Sequence, residues 1–197
     1  MTAWNRMLTF CLLFGLGCVA MGCGSGPVAM YVDPGFKASP PKTIRLMPVV
    51  DARKDKTTAQ INLEHDIRVA FADRIRSHGF VVEMVDWPAQ KPVPPASEVA
   101  AMESPDLAPY LPPGDDPVLL VTLDDASFKY VVLAKTAQVK ISARAIEPAR
   151  RRLLWKHFAR ANEGQGGLVS GLLPLEAVAV SECLDAMADV FPKHQNK

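Results

Sequence analysis

Nine of the thirty residues from 88 to 117 are proline, and no other feature limits the fold as strongly. Proline fixes φ and lacks a backbone N–H, so neither a long helix nor a sheet strand runs through this stretch. Regular structure must therefore lie in two blocks, one before it and one after. Within the stretch, Ser97–Met102 and Asp106–Leu111 leave room for one or two helical turns each. A connection this long is usually functional or disordered. It is the chain's first candidate for a mobile or partner-binding loop.

The block before it opens with a short β-rich run from Thr43 to Val50, ending at Asp51-Ala-Arg53. Leu63, Ile67, Phe71 and Ile75 then recur every four residues, the stripe of an amphipathic helix. Either Thr57 with Gln60 as a capping box, or Asn62, suits its start. Gly79 supplies the left-handed stop. Phe80–Val85 reads as the second strand. In the block after it, Val118–Leu123 is continuously apolar, as a strand covered on both faces would be. Ala137, Val139, Ile141, Ala143 and Ala145 alternate with Gln138, Lys140, Ser142 and Arg144, a strand with one buried and one wet face. Glu147–Arg150 turns the chain, and Leu153–Ala161 returns as the paired strand. Residues 163–167 read as a flexible break. A helix follows from about Pro174 to Phe191, with Val180, Leu184, Met187 and Phe191 as its stripe.

The expected order is β-α-β-loop-β-β-β-α. This is an α+β, two-layer (α/β) fold: a mixed, mostly antiparallel sheet with helices packed on one face. It forms a single domain over residues 43–192, with 193–197 as a tail.

The amino terminus has a different character. Arg6 is the only charged residue before Asp33, and an apolar run of about 14 residues follows it, Met7 to Ala20. That is the layout of a secretory signal, and it is shorter than the roughly 20 residues of a membrane span. The run exits through Ala20-Met21-Gly22-Cys23-Gly24, which resembles the bacterial lipobox. The resemblance implies a signal peptide over 1–22, cleavage between Gly22 and Cys23, a diacylglyceryl thioether on Cys23 and a further acyl group (palmitate or similar) on its amine. Two or three acyl chains anchor a protein stably where one does not. Gly24 at the following position, where aspartate is absent, implies sorting to the outer membrane, facing the periplasm, ahead of the inner membrane. An ordinary cleaved signal, an uncleaved anchor and a cut before Cys18 are the alternatives. Residues 23–42, rich in Gly, Pro and Ser, read as lipidated cysteine plus tether.

Removing residues 1–22 from 197 leaves 175, enough for one domain, with 21 basic and 21 acidic residues. This balance points away from nucleic acid. Arg150-Arg151-Arg152, the densest basic run, falls in the turn and reads as solvated; contact with anionic head groups or an acidic partner is the sharper reading. Of four cysteines, Cys11 and Cys18 leave with the signal and Cys23 carries lipid, so Cys183 has no partner for a disulfide and reads as a small buried hydrophobe.

Catalytic constellations are thin. Glu64-His65-Asp66 splay about 100° apart on a helix and cannot converge on a metal. His78 sits at the helix end, where an imidazolium would suit the dipole. Asp124 and Asp125, adjacent on a strand, should point to opposite faces and read as turn or edge residues. No GxSxG, Walker or GxGxxG pattern occurs. The reading is therefore of no enzyme, no catalytic residue, no metal and no cofactor. Trp87, Tyr110, Tyr130 and Trp155 are the aromatic residues to consider for partner binding.

The strand Ile44–Val50 running into Asp51-Ala-Arg53, the helix closed by Gly79-Phe80-Val81-Val82, Asp116-Pro117-Val118-Leu-Leu-Val121, the alternating strand 136–146 and Leu154-Trp155 together resemble a known group. They resemble small Gram-negative envelope lipoproteins with an α/β fold like the amino-terminal domain of TolB, to which the curli-secretion lipoprotein is loosely related. The glycine familiar before the Leu-Trp pair is replaced here by Pro148 and the arginines. The resemblance implies a non-catalytic lipoprotein, an interaction or accessory component of envelope assembly, secretion or transport, with an envelope protein as partner and the membrane held through lipid. The alternative is a carrier for a lipid or small ligand, which needs an apolar pocket between sheet and helices.

Overall fold

A computed structural model describes residues 31–54, 56, 63–131, 134–166 and 175–194. Its seven strands form one mixed sheet. In chain order the elements are β1 (Tyr31–Val32), α1 (Pro34–Ala38), β2 (Thr43–Leu46), β3 (Val50–Asp51), α2 (Leu63–Ser77), β4 (Val81–Met84), α3 (Ala96–Ala101), α4 (Ser104–Leu107), a 3-10 turn (Ala108–Tyr110), β5 (Val118–Val131), β6 (Ala134–Glu147), β7 (Arg152–Gly166) and α5 (Leu175–Asp189). Across the sheet the order is β1-β7-β6-β5-β2-β4, with β3 also on β5. β2 and β3 run parallel to β5, and β2 parallel to β4; the other pairs are antiparallel.

The stripes read from the sequence are the buried faces. Ile67, Phe71 and Ile75 of α2 are fully buried and Leu63 nearly so, as are Val180, Leu184 and Met187 of α5 with Phe191 just beyond. Each such side chain contributes about 2 kcal/mol of burial. They cover the sheet face formed by Leu119, Val121, Leu123 and the alternating Ala137–Ala145 series. We call this the helix face and the other the open face. The two-layer α+β fold stands.

Four local expectations change. Residues 31–42 are not tether: β1 pairs with β7, and Asp33 caps α1 by accepting from the Phe36 N–H at 3.0 Å. Buried Phe36 then packs edge-on against Phe191 at 5.9 Å. Asp33-Pro34 is a cap followed by proline in the first turn, a start signal within a Gly/Pro-rich stretch. The first strand is broken in two at Pro48. From Leu46↔Leu119 to Val50↔Thr122 the β2–β3 side advances four residues and β5 three, so one extra residue bulges where proline offers no N–H. Residues 163–166 continue β7, pairing through Gly166↔Ala134, because the ladder with β6 overrides the low strand propensity of glycine.

The fourth change concerns the proline-rich stretch. Its expected helical turns form as α3, α4 and the 3-10 turn. They do not hang free. Val99, Leu107 and Leu111 pack with Met47, Val50, Val118, Leu120 and Ile146 in a second core on the open face. The helices are thus not confined to one face; short ones cover one end of the other. The proposed caps Thr57, Gln60 and Asn62, and Pro174, lie outside the described residues.

Candidate interaction surface

Cys23 and Gly22 lie outside the described residues. The four aromatic candidates are not brought together. Trp155 is fully buried on the helix face, its indole N–H donating to the Val190 carbonyl at 3.3 Å and its ring edge-on to Phe191. Trp155 is therefore a core residue and not a partner anchor: its position on β7 points inward beneath α5. Trp87 and Tyr110 are half-buried beside the proline-rich layer, and the Lys91 ammonium stands 5.8 Å from the centre of the Tyr110 ring. Tyr130 lies at the far end of β5, in register with Lys135; its side chain is outside those described. His65 is exposed on α2. His78 closes α2, its carbonyl accepting from the His194 N–H at 2.9 Å.

Arginines hold the proline-rich layer by its backbone. Arg45 on β2 donates to the carbonyls of Pro113 at 2.7 Å and Asp116 at 2.6 Å. Gly114, at φ 131°, lets the chain pass this guanidinium: a Cβ would sit 3.2 Å from it. Arg144 on β6 donates to the carbonyls of Val99 and Met102. Asp51 and Arg53 form a buried pair at 2.8 Å. Burial alone would raise the Asp51 carboxyl, but the Arg53 hydrogen bonds outweigh it and hold the carboxyl below the ordinary aspartate value. These arginines were legible as residues, not as loop anchors.

Beyond Arg144 no described residue covers the open face. A bulge in β5 changes its chemistry. Leu123 pairs with Ile141 and Asp125 with Lys140, so Asp124 is the extra residue. Its carboxylate accepts from the Ser142 hydroxyl at 3.2 Å. Ser142 and Lys140 both point to the open face, so Asp124 and Asp125 share that face. The expectation of opposite faces, and of a turn or edge, is corrected: a bulge places two successive side chains on one side. Burial holds the Asp124 carboxyl above its ordinary value, against the opposing pull of Ser142, Lys140 and Arg144. Among the described residues no three His, Cys, Asp or Glu side chains are grouped to hold a metal ion.

The far edge of the sheet is β4. The Val81 N–H bonds to Lys42 and the Val85 N–H to Leu46, so positions 81, 83 and 85 face β2 and the backbone of Val82 and Met84 faces outward. Val81 and Met84 are 45% and 43% exposed. Arg76 reaches one outward carbonyl, that of Val82, at 3.4 Å.

Between α2 and α5 lies an apolar cleft of about 190 Å³ lined by Leu63, Ala70, Val180 and Leu184, with Arg74 and Asp66 at its rim. A polar hollow of about 290 Å³ lies by α1, Glu147 and Arg152. Both fall below the roughly 300–1,000 Å³ of small-molecule sites.

No family model matches the chain, and no curated protein matches it. Solved structures do. The PelC dodecamer from Paraburkholderia phytofirmans is similar at 12% identity and a TM-score of 0.51, over 85% of this chain and 99% of that one. The fold is shared with PelC. Lipoprotein GNA1162 from Neisseria meningitidis is similar at 21% identity and 0.48, over 76% and 99%. The minor lipoprotein from Acinetobacter baumannii is similar at 10% and 0.40, over 78% and 96%. The PelC likeness agrees with the expected α/β fold. No helix of the described residues is long and apolar enough to cross a membrane.

Proposed function

We propose that this chain is a non-catalytic lipoprotein, held on the periplasmic side of the outer membrane by lipid on Cys23, that binds a partner protein in envelope assembly, secretion or transport. The observation that carries the partner reading is the β4 edge. Among the described residues it offers outward backbone groups beside exposed Val81 and Met84, at the sheet edge opposite β1, the strand nearest in sequence to the proposed anchor. A free strand edge with apolar side chains is what a partner strand adds to. PelC was solved as a dodecamer, so a second copy is one kind of partner.

A photoreactive residue at position 81 or 84 tests this in cells. We expect a discrete crosslinked protein, the chain itself or another envelope component, at those positions and none at exposed His65. Equal, diffuse crosslinking at all three positions removes the β4 edge as an interface. The carrier alternative would use the apolar α2–α5 cleft, whose described lining encloses about 190 Å³. Intact mass of the mature chain reads the anchor directly: a start at Cys23 with added diacylglyceryl mass is expected.

A further inference from the structure

The part of the open face that no described residue covers carries a charge arrangement that a sheet does not adopt for its own stability. On β6 and β7, Lys140 pairs with Arg160 and Arg144 with Lys156. Directly opposed residues share a face, and like charges so placed repel. Arg144 is buried against loop carbonyls, but Lys140, Lys156 and Arg160 are exposed. None of the three has an ion pair within 4.0 Å among the described residues. The acids nearby are Asp125, opposite Lys140, half-buried Asp124, and Glu103 close to Arg144. Between the two cationic rows lies half-buried Phe158, its ring 5.6 Å from the Lys140 ammonium.

The position of this patch decides its partner. Tyr31 pairs directly with Lys156, so the two share a face, and Tyr31 is 44% exposed. Tyr31 is the first described residue, and seven residues separate it from Cys23. Even fully extended they span no more than about 30 Å. A tyrosine at the edge of a basic patch, with a phenylalanine among its cations, has the composition of a membrane-interface surface. Resting on the lipid-anchor reading above, we infer that the face bearing Tyr31, Lys140, Lys156, Phe158 and Arg160 lies against the anionic head groups of the membrane that holds Cys23. The anchor supplies proximity, and the cations set the orientation. The β4 edge then points away from the anchored edge of the sheet.

The test uses the mature lipidated chain on vesicles of 30% phosphatidylglycerol in phosphatidylethanolamine, against vesicles of phosphatidylcholine. Lysine acetylation is read peptide by peptide by mass spectrometry. Each cation near an anionic surface contributes roughly a five-fold preference. We expect Lys140 and Lys156 to label at least five-fold more slowly on the anionic vesicles, with Lys91 unchanged. Molar salt should erase the difference, because the attraction is screened. The Arg160→Glu variant, which leaves both lysines in place as reporters, should reduce the protection. Arg160→Gln guards against a folding artefact and should do so more weakly. Equal labelling on both vesicles overturns the inference. So does protection by soluble polyglutamate where anionic vesicles give none, which would assign the face to an acidic macromolecule. Intact mass reports the Cys23 lipid separately. If that lipid is absent, the same vesicles added to the unanchored chain still read the face, so the two readings fail independently.

Discussion

Arg144, in the middle of β6, donates a hydrogen bond to the carbonyl of Val99, a residue forty-five positions earlier. The same guanidinium reaches Met102. One sheet side chain thus ties down the α3 turn of the proline-rich layer, and burial lowers its proton affinity without threatening its charge. Arg144→Met keeps the length and the apolar stem but leaves two carbonyls without their donor. We expect a loss of about 2–4 kcal/mol in urea unfolding. Proteolytic cuts should appear first within 88–117. Arg144→Lys should recover little, since one ammonium does not reproduce the fork. If the variant unfolds at the wild-type urea concentration and resists protease equally, the layer is held without Arg144, by Arg45 and the packing of Val99, Leu107 and Leu111.

That contact also marks where the sequence could be read and where it could not. The stripes of α2 and α5 and the alternation of β6 were legible, because helix and strand periods are local and survive any tertiary arrangement. Gly79 as a left-handed stop was legible for the same reason. The docking of 88–117 was not: proline density announces irregular backbone, but an arginine that binds carbonyls leaves no pattern in the segment it binds. The Asp124 bulge was hidden too, since two residues opposing one depends on a partner strand fifteen or more positions away. Tyr31 to Ser39 hid behind composition. Asp33 capping a turn that opens with proline was visible there, yet Gly and Pro frequency pointed to a tether.

Asp124 gives a pH prediction. Burial is the largest influence on its carboxyl and raises it above the ordinary 3.8, although Ser142, Lys140 and Arg144 pull the other way. An acid with a raised folded value binds its proton more tightly in the folded state. Stability therefore falls as pH rises from about the unfolded value through the folded one. Asp124→Asn removes that loss. Its urea midpoint should exceed that of the wild type at pH 7, and the difference should shrink as pH drops below 4. A variant less stable than wild type at pH 7 would show that the charge attractions outweigh burial.

Cys183 is buried, its Sγ 3.6 Å from the Val139 carbonyl, and burial pushes the thiol up to about 12. Thiolate is the reactive form, so the native protein should resist thiol reagents for hours at pH 8. In guanidinium it should react at once. The count then carries further information: one thiol in the mature denatured chain if Cys23 is a thioether, two if it is bare. Rapid labelling of the native chain at Cys183 would mean that α5 leaves the sheet far more readily than its packing implies.

Gly79 closes α2 at φ +90°, and a Cβ built there would lie 2.8 Å from the His194 carbonyl oxygen. Two penalties should therefore meet in Gly79→Ala. The left-handed backbone costs an L-residue about 1–2 kcal/mol. The clash adds to this because His194 is fixed in place: its N–H donates to the His78 carbonyl at 2.9 Å, and its ring nitrogen lies 3.2 Å from the Pro40 carbonyl. A total of about 2–3 kcal/mol should lower Tm by roughly 4–12 °C in a domain of this size. The two parts separate in a double-mutant cycle. Removing residues 194–197 deletes the clash but leaves the backbone strain, so Gly79→Ala should cost less in the truncated chain than in the full one. The same cost in both would assign the whole effect to φ and leave the carboxyl-terminal contact with no part in it.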